Sequence, residues 1–139
     1  MRYAVIGSGS CGNSYIFKTA RSCFVVDNGY SFSEFRRRAE AFGFDIHDIK
    51  FIFLTHVHRD HIAGVETLSK KLEIPVFTAE NLDVSQWVTK GFFKQIGIIP
   101  GQDYSLDDFS FTVFPTFHDA PDSVGYSFCQ GGERVTIIT

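Results

Sequence analysis

No stretch of the sequence approaches the roughly 20 apolar residues that a membrane-crossing helix needs. The apolar start at residues 3–6 is broken by the segment Gly7 to Asn13, too early to form the core of a secretory signal. Cysteine is scarce: Cys11, Cys23 and Cys129 form no C-x-x-C pair, and any disulfide scheme leaves one of the three over. That usage fits thiols kept reduced in the cytoplasm, with no membrane partner. Excess positive charge is lacking as well. With 13 Lys and Arg against 16 Asp and Glu, the net charge of −3 gives no general attraction to nucleic acid. An anionic substrate therefore needs a local positive centre, such as a metal ion. Repeats, low-complexity tracts and linkers are missing too, so the chain reads as one domain or part of one. What it has in abundance is phenylalanine, 16 residues, enough for a strongly aromatic core.

The stretch Gly7-Ser8-Gly9-Ser10-Cys11-Gly12 spells G-x-G-x-x-G after an apolar run, with Asp27 twenty residues beyond Gly7. A dinucleotide site needs that third glycine to open a helix within a βαβ unit of about 30 residues. Here ten residues separate Gly12 from Cys23, and they alternate as a strand with a turn, so no crossover helix fits. The nucleotide reading fails on context. A tight turn joining strands and a glycine-rich rim near a site both remain open.

Strands are expected over residues 3–6, 15–19 and 23–27, the second from its two-residue alternation. Ser31 followed by Glu34 forms a capping box, so a helix begins there, with Phe32, Phe35, Ala39 and Phe42 on one face and Gly43 as its stop. Arg36, Arg37 and Arg38 read as a solvated surface. The continuous run Phe51-Ile52-Phe53-Leu54 marks a strand buried on both faces. A helix with Ile62, Val65, Leu68 and Leu72 inward follows, then a strand over 76–78, a helix over 80–90, and strands over 109–113, 124–128 and 135–138.

Between the buried strand and its helix lies Thr55-His56-Val57-His58-Arg59-Asp60-His61. Residues two apart on extended backbone point the same way, so His56 and His58 grip one metal from one side. The turn into the helix carries Asp60 and His61 round toward a second ion, and Thr55 is placed to support the loop. Three imidazoles and a carboxylate within six residues suit zinc or a similar borderline metal. Asp60 is also the candidate catalytic carboxylate. Ser10 and Asn13 either hydrogen-bond a substrate phosphate from the rim or stabilise their turn. His47 reads as exposed, and Cys11 has no identifiable base that would make it a nucleophile.

The H-x-H-x-D-H pattern resembles the metallo-β-lactamase superfamily. Together with SGSCGNS, VVDNG and PTFHDAPDSVGY it looks like that superfamily's small exonuclease-like group, the YycJ/WalJ type. The resemblance implies an α/β (α+β) fold, an αββα sandwich with two divalent ions at the sheet edges (zinc, or manganese, iron or nickel). It implies His118 as the third ligand of metal one beside His56 and His58, and Asp60 and His61 on metal two. Asp27 would lie beneath the site, and Asp119 would orient a neighbour. The implied activity is that of a dinuclear-metal phosphodiesterase, with DNA or another phosphodiester as substrate.

The same resemblance implies a bridging aspartate after a strand like residues 135–138 and a later histidine on metal two, whereas the sequence stops at Thr139. The expectation is the N-terminal half of the sandwich: residues 1–139 as one domain cut short, with metal one complete and metal two weak. Weak or absent turnover and an exposed, self-associating sheet face follow from that. Two other readings stand beside it. One is a lactone, lactam or thioester hydrolase of the same fold, and the other is a non-catalytic domain stabilised by metal.

Overall fold

A computed structural model describes every residue except His118, Asp119 and Pro121. The alternating N-terminal segments form β1 (Arg2–Gly7), β2 (Ser14–Lys18) and β3 (Cys23–Asn28). β1 and β2 pair antiparallel, with Tyr3 opposite Phe17 and the register shifting at Gly7, so the glycine stretch connects a hairpin. Ser31 caps α1 (Phe32–Ala41), its Oγ accepting from the Glu34 N–H at 3.3 Å, and Phe35 and Ala39 are its buried face. Gly43, at φ 84°, follows its end.

β4 (Phe51–Phe53) lies parallel to β3, with Val25 opposite Ile52. The chain then forms two short helices, α2 (Arg59–Ile62) and α3 (Val65–Leu72), where one was expected, divided at Gly64. β5 (Pro75–Ala79) and β6 (Lys94–Ile98) complete a six-stranded sheet in the order β1 to β6. β7 (Asp103–Leu106), β8 (Phe109–Pro115), β9 (Val124–Gln130) and β10 (Glu133–Ile137) form a four-stranded antiparallel sheet in the order β10-β9-β8-β7.

The helix expected over 80–90 is absent, and turns occupy the segment. Asp83 Oδ1 accepts from the Ser85 N–H at 2.9 Å, a local bond that competes with helix hydrogen bonding. Glu66 draws the far end down by accepting from the N–H groups of Thr89 and Lys90. β6 and β7 were not anticipated. Gly97 interrupts the side-chain alternation of β6, because a β-carbon there would crowd Glu80.

The phenylalanines explain why the sheets stack. Phe17, Phe24 and Phe53 face Phe109, Phe111, Tyr126 and Phe128, with Phe24 and Phe109 stacked at 4.5 Å and Phe53 edge-on to Phe111 at 4.9 Å. On the opposite face of the larger sheet, Val25, Ile52 and Val76 are fully buried in one cluster with Phe35, Ala39, Val65 and Leu68 of the helices. Burial on both faces is what the run of residues 51–54 requires. The architecture is thus helices, sheet, sheet, an α+β layering that agrees with the expected N-terminal half of an αββα sandwich. The outward side of the smaller sheet carries Ser110, Thr112, Ser127, Arg134 and Thr136 beside Phe114 and Cys129, with Arg134 Nη1 donating to Ser127 at 2.9 Å. Most of that face is polar, with Phe114 half-buried over Gly125, whereas Ile138 just beyond β10 is 68% exposed. Among the described residues no helix is long and apolar enough to cross a membrane.

Candidate metal centre

Parallel β3 and β4 end side by side, so the residues just past them are delivered to one place, the usual location of sites on parallel strands. At the end of β3, Asp27 takes φ 57°, a left-handed conformation that aspartate tolerates, and Ser14 Oγ holds its carbonyl at 2.8 Å. The turn aims the Asp27 carboxylate into the protein, where it is fully buried.

Both of its oxygens are engaged. Oδ1 accepts from the Thr55 N–H at 2.8 Å, and Oδ2 accepts from Thr55 Oγ1 and His61 Nδ1, each at 2.6 Å. Burial pushes the Asp27 carboxyl up from its ordinary range, and the hydrogen bonds from His61 and Thr55 pull the other way. With the carboxylate ionised, the Thr55 hydroxyl spends its proton on Asp27 and accepts from His56 Nδ1 at 2.8 Å. Both imidazoles are thereby fixed with the proton on Nδ1, and each presents Nε2 on its opposite edge.

The rings of His56 and His61 lie 4.1 Å apart and those of His56 and His58 4.7 Å apart, centroid to centroid. Ligand atoms of Asp27, His56 and His61, all buried, fall within 4.8 Å of one another. Asp60 Oδ2 lies 3.9 Å from His61 Nε2. The motif's imidazoles and its carboxylate therefore converge, and this donor set suits a borderline divalent ion. His118 and Asp119 lie outside the described residues. Thr139 reaches the same place from the smaller sheet, its Oγ1 3.2 Å from Thr55 Oγ1.

The glycine loop closes one side. Tyr30 packs under it, its Oη donating to the Gly12 carbonyl at 3.0 Å, and a β-carbon at Gly7 or Gly12 would overlap its ring. Close packing on Tyr30 accounts for these two glycines. Ser10 is exposed on this loop, while Asn13 is buried and its amide is occupied. Asn13 Nδ2 donates to Gly9 O at 2.8 Å and to Asp60 Oδ2 at 2.9 Å. The tie from Asn13 to Asp60 had no signal in the sequence, since the two are 47 residues apart. His47 is exposed, as expected, on a 3-10 turn.

Comparison with known proteins agrees with this geometry. The family described as the metallo-beta-lactamase superfamily matches residues 10–138. The chain is 28% identical to exodeoxyribonuclease YycJ of Bacillus anthracis, over 100% of its own length and 54% of that protein's. It is 27% identical to exodeoxyribonuclease WalJ of Streptococcus pneumoniae, over 99% of its length and 53% of the relative's. Ribonuclease J2 of Bacillus subtilis is 30% identical, with 90% of this chain and 25% of that one covered. The chain thus spans about half the length of the first two relatives. Among solved structures, a subclass B3 metallo-β-lactamase with an active-site glutamic acid superposes with a TM-score of 0.75 at 18% identity. That superposition covers 97% of this chain and 57% of the lactamase, and at this identity the likeness is one of fold.

Proposed function

This chain belongs to the metallo-β-lactamase superfamily, and from that premise we propose that it forms the metal-ligating part of a metal-dependent phosphodiesterase acting on DNA in the cytoplasm. The observation that carries this reading is the convergence of His56 with His58 and His61, ring centroids 4.7 and 4.1 Å apart, over the buried Asp27 carboxylate at the ends of β3 and β4. His56 and His58, with His118, would hold the first ion, and Asp60 and His61 would hold the second. Zinc fits the imidazole-rich set best, with manganese, iron and nickel as alternatives. When bound, such ions lower the pKa of water toward neutrality and polarise a phosphoryl oxygen.

The remaining work falls to the chain's own groups. Asp27, whose oxygens already accept three hydrogen bonds, orients His61 and does not ligate. Thr55 relays that orientation to His56. Asn13 holds Asp60 Oδ2, the oxygen that lies 3.9 Å from His61 Nε2, and so fixes the carboxylate at the wall of the site.

DNA is preferred as substrate because the relatives matched along the whole chain are exodeoxyribonucleases. RNA is the second reading, favoured by the similarity to ribonuclease J2. The test is a metal-dependence assay on labelled single- and double-stranded DNA and on RNA, beside ester and lactam substrates. It is run on this chain and on a longer polypeptide that includes it. Cleavage of nucleic acid that chelation abolishes and added zinc or manganese restores is expected. Hydrolysis of the carbonyl substrates alone would overturn the reading.

A further inference from the structure

On the glycine-loop side of the candidate centre lies an open cavity of about 600 Å³, walled by Ser10, Gly29, Ser31, Arg59 and Asp60 among others. Asp60 belongs to both the ligand cluster and this wall, so anything seated in the cavity is continuous with the metal centre. The walls are polar or bare. Gly29 supplies backbone only, because a β-carbon there would overlap the Asp60 carbonyl. Ser10 and Ser31 bring hydroxyl groups to the same space.

Arg59 is the chemically distinctive member. It is exposed, it follows ligand candidate His58 directly, and among the described residues its side chain makes no hydrogen bond or ion pair. The arginines of α1 differ: Arg36 pairs with Glu40 at 2.8 Å, and Arg37 and Arg38 both pair with Glu34. In a chain of net charge −3, a guanidinium without an ion-pair partner among the described residues, at the mouth of the site, is a local anion receptor. Its planar fork matches two non-bridging phosphate oxygens.

We propose that this cavity is a subsite for the backbone phosphate of single-stranded nucleic acid next to the one at the metal centre. Arg59 pairs with its non-bridging oxygens, and Ser10 and Ser31 donate hydrogen bonds. The subsite rests on the phosphodiesterase reading above and adds to it the residue that grips the polymer. It distinguishes a polynucleotide from a small ester, which has no second phosphate to place there.

The experiment is fluorescence polarisation of a short fluorescein-labelled oligothymidylate, titrated with the zinc-loaded chain over a series of salt concentrations. Wild type, R59Q and R59K are compared, with metal content measured on the same samples. R59Q is expected to bind roughly tenfold more weakly and to flatten the salt dependence by about one ionic contact, with unchanged metal content. R59K is expected to recover the salt dependence but only part of the affinity, because a single ammonium replaces the fork. Equal affinity and salt slope for wild type and R59Q would overturn the subsite and leave the phosphodiesterase reading standing. Loss of metal in R59Q would also overturn it, by placing Arg59 in the centre itself. If wild type fails to bind the oligonucleotide, the subsite is wrong. Metal content then decides the wider reading, which survives if zinc is retained and falls if it is not.

Discussion

Asn13 grips Asp60 with both backbone and side chain across 47 residues of sequence: its N–H donates to the Asp60 carbonyl at 2.7 Å, and its Nδ2 donates to Oδ2 at 2.9 Å and to the same carbonyl at 3.4 Å. The glycine loop and the metal-ligand motif are thereby one unit. Asn13→Ala removes the side-chain contact and frees the carboxylate to rotate. Loss of such an outer partner typically weakens metal binding by roughly 10–100-fold. Zinc titration calorimetry should show the weaker of two binding events suffering, while a second event of unchanged affinity would deny Asn13 this role.

Asp27 acts at the other end of the ligand set, on His61 and Thr55. Asp27→Asn places an N–H against groups that donate, so at least one buried donor loses its acceptor. The cost is about 1–3 kcal/mol of stability. Urea unfolding should show a lower midpoint at unchanged slope, and competition with a chelator should show weaker metal retention. A variant as stable and as tightly metallated as wild type would mean that the buried carboxylate is not orienting the imidazoles.

The glycines divide into those that the packing demands and those that it does not. A β-carbon at Gly29 would overlap the Asp60 carbonyl, which is backbone and has little room to move, whereas Gly132 has nothing within 4 Å. Gly29→Ala should destabilise by about 1–3 kcal/mol as an overpacked site. Gly132→Ala should stay within about 0.5 kcal/mol of wild type. Parallel urea titrations check both, and the reverse order would contradict the seating of the loop.

The thiols should report the same packing. Burial pushes the Cys23 thiol up to about 12, while Cys11 is exposed on the glycine loop. Because the thiolate is the reactive form, iodoacetamide at pH 8 should label Cys11 in the folded chain and reach Cys23 only in denaturant. Peptide mass spectrometry reads the sites. Equal labelling of Cys11 and Cys23 in the native state would mean that β3 is not buried as described.

Much of this was legible in the residues. Phe51 to Leu54 announced a strand buried on both faces, Ser31 with Glu34 announced a helix start, and the spacing of His56, His58, Asp60 and His61 pointed to a candidate metal cluster, in which the structure groups His56 and His61 with Asp27. Each is a local pattern whose physics is complete within a few residues. The hairpin reading of the glycine stretch also holds, since β1 and β2 pair antiparallel across it. What stayed hidden is relational. No local pattern shows that Asn13 meets Asp60, that Tyr30 fills the space left by Gly7 and Gly12, or which phenylalanine of one sheet meets which of the other. The segment 80–90 misled because its helical look rested on propensity, and side-chain bonds from Asp83 and Glu66 outweighed it.

The most direct measurement is metal content. The purified chain is incubated with zinc, dialysed, and read by atomic absorption beside His56→Ala and His58→Ala. Wild type is expected to retain about one tightly held equivalent, and each variant is expected to lose it, because the proposed first site counts each of these histidines among its three protein ligands. A folded wild-type chain that retains no zinc, manganese, iron or nickel, or variants that retain as much metal as wild type, would contradict the assignment of this cluster as a metal centre.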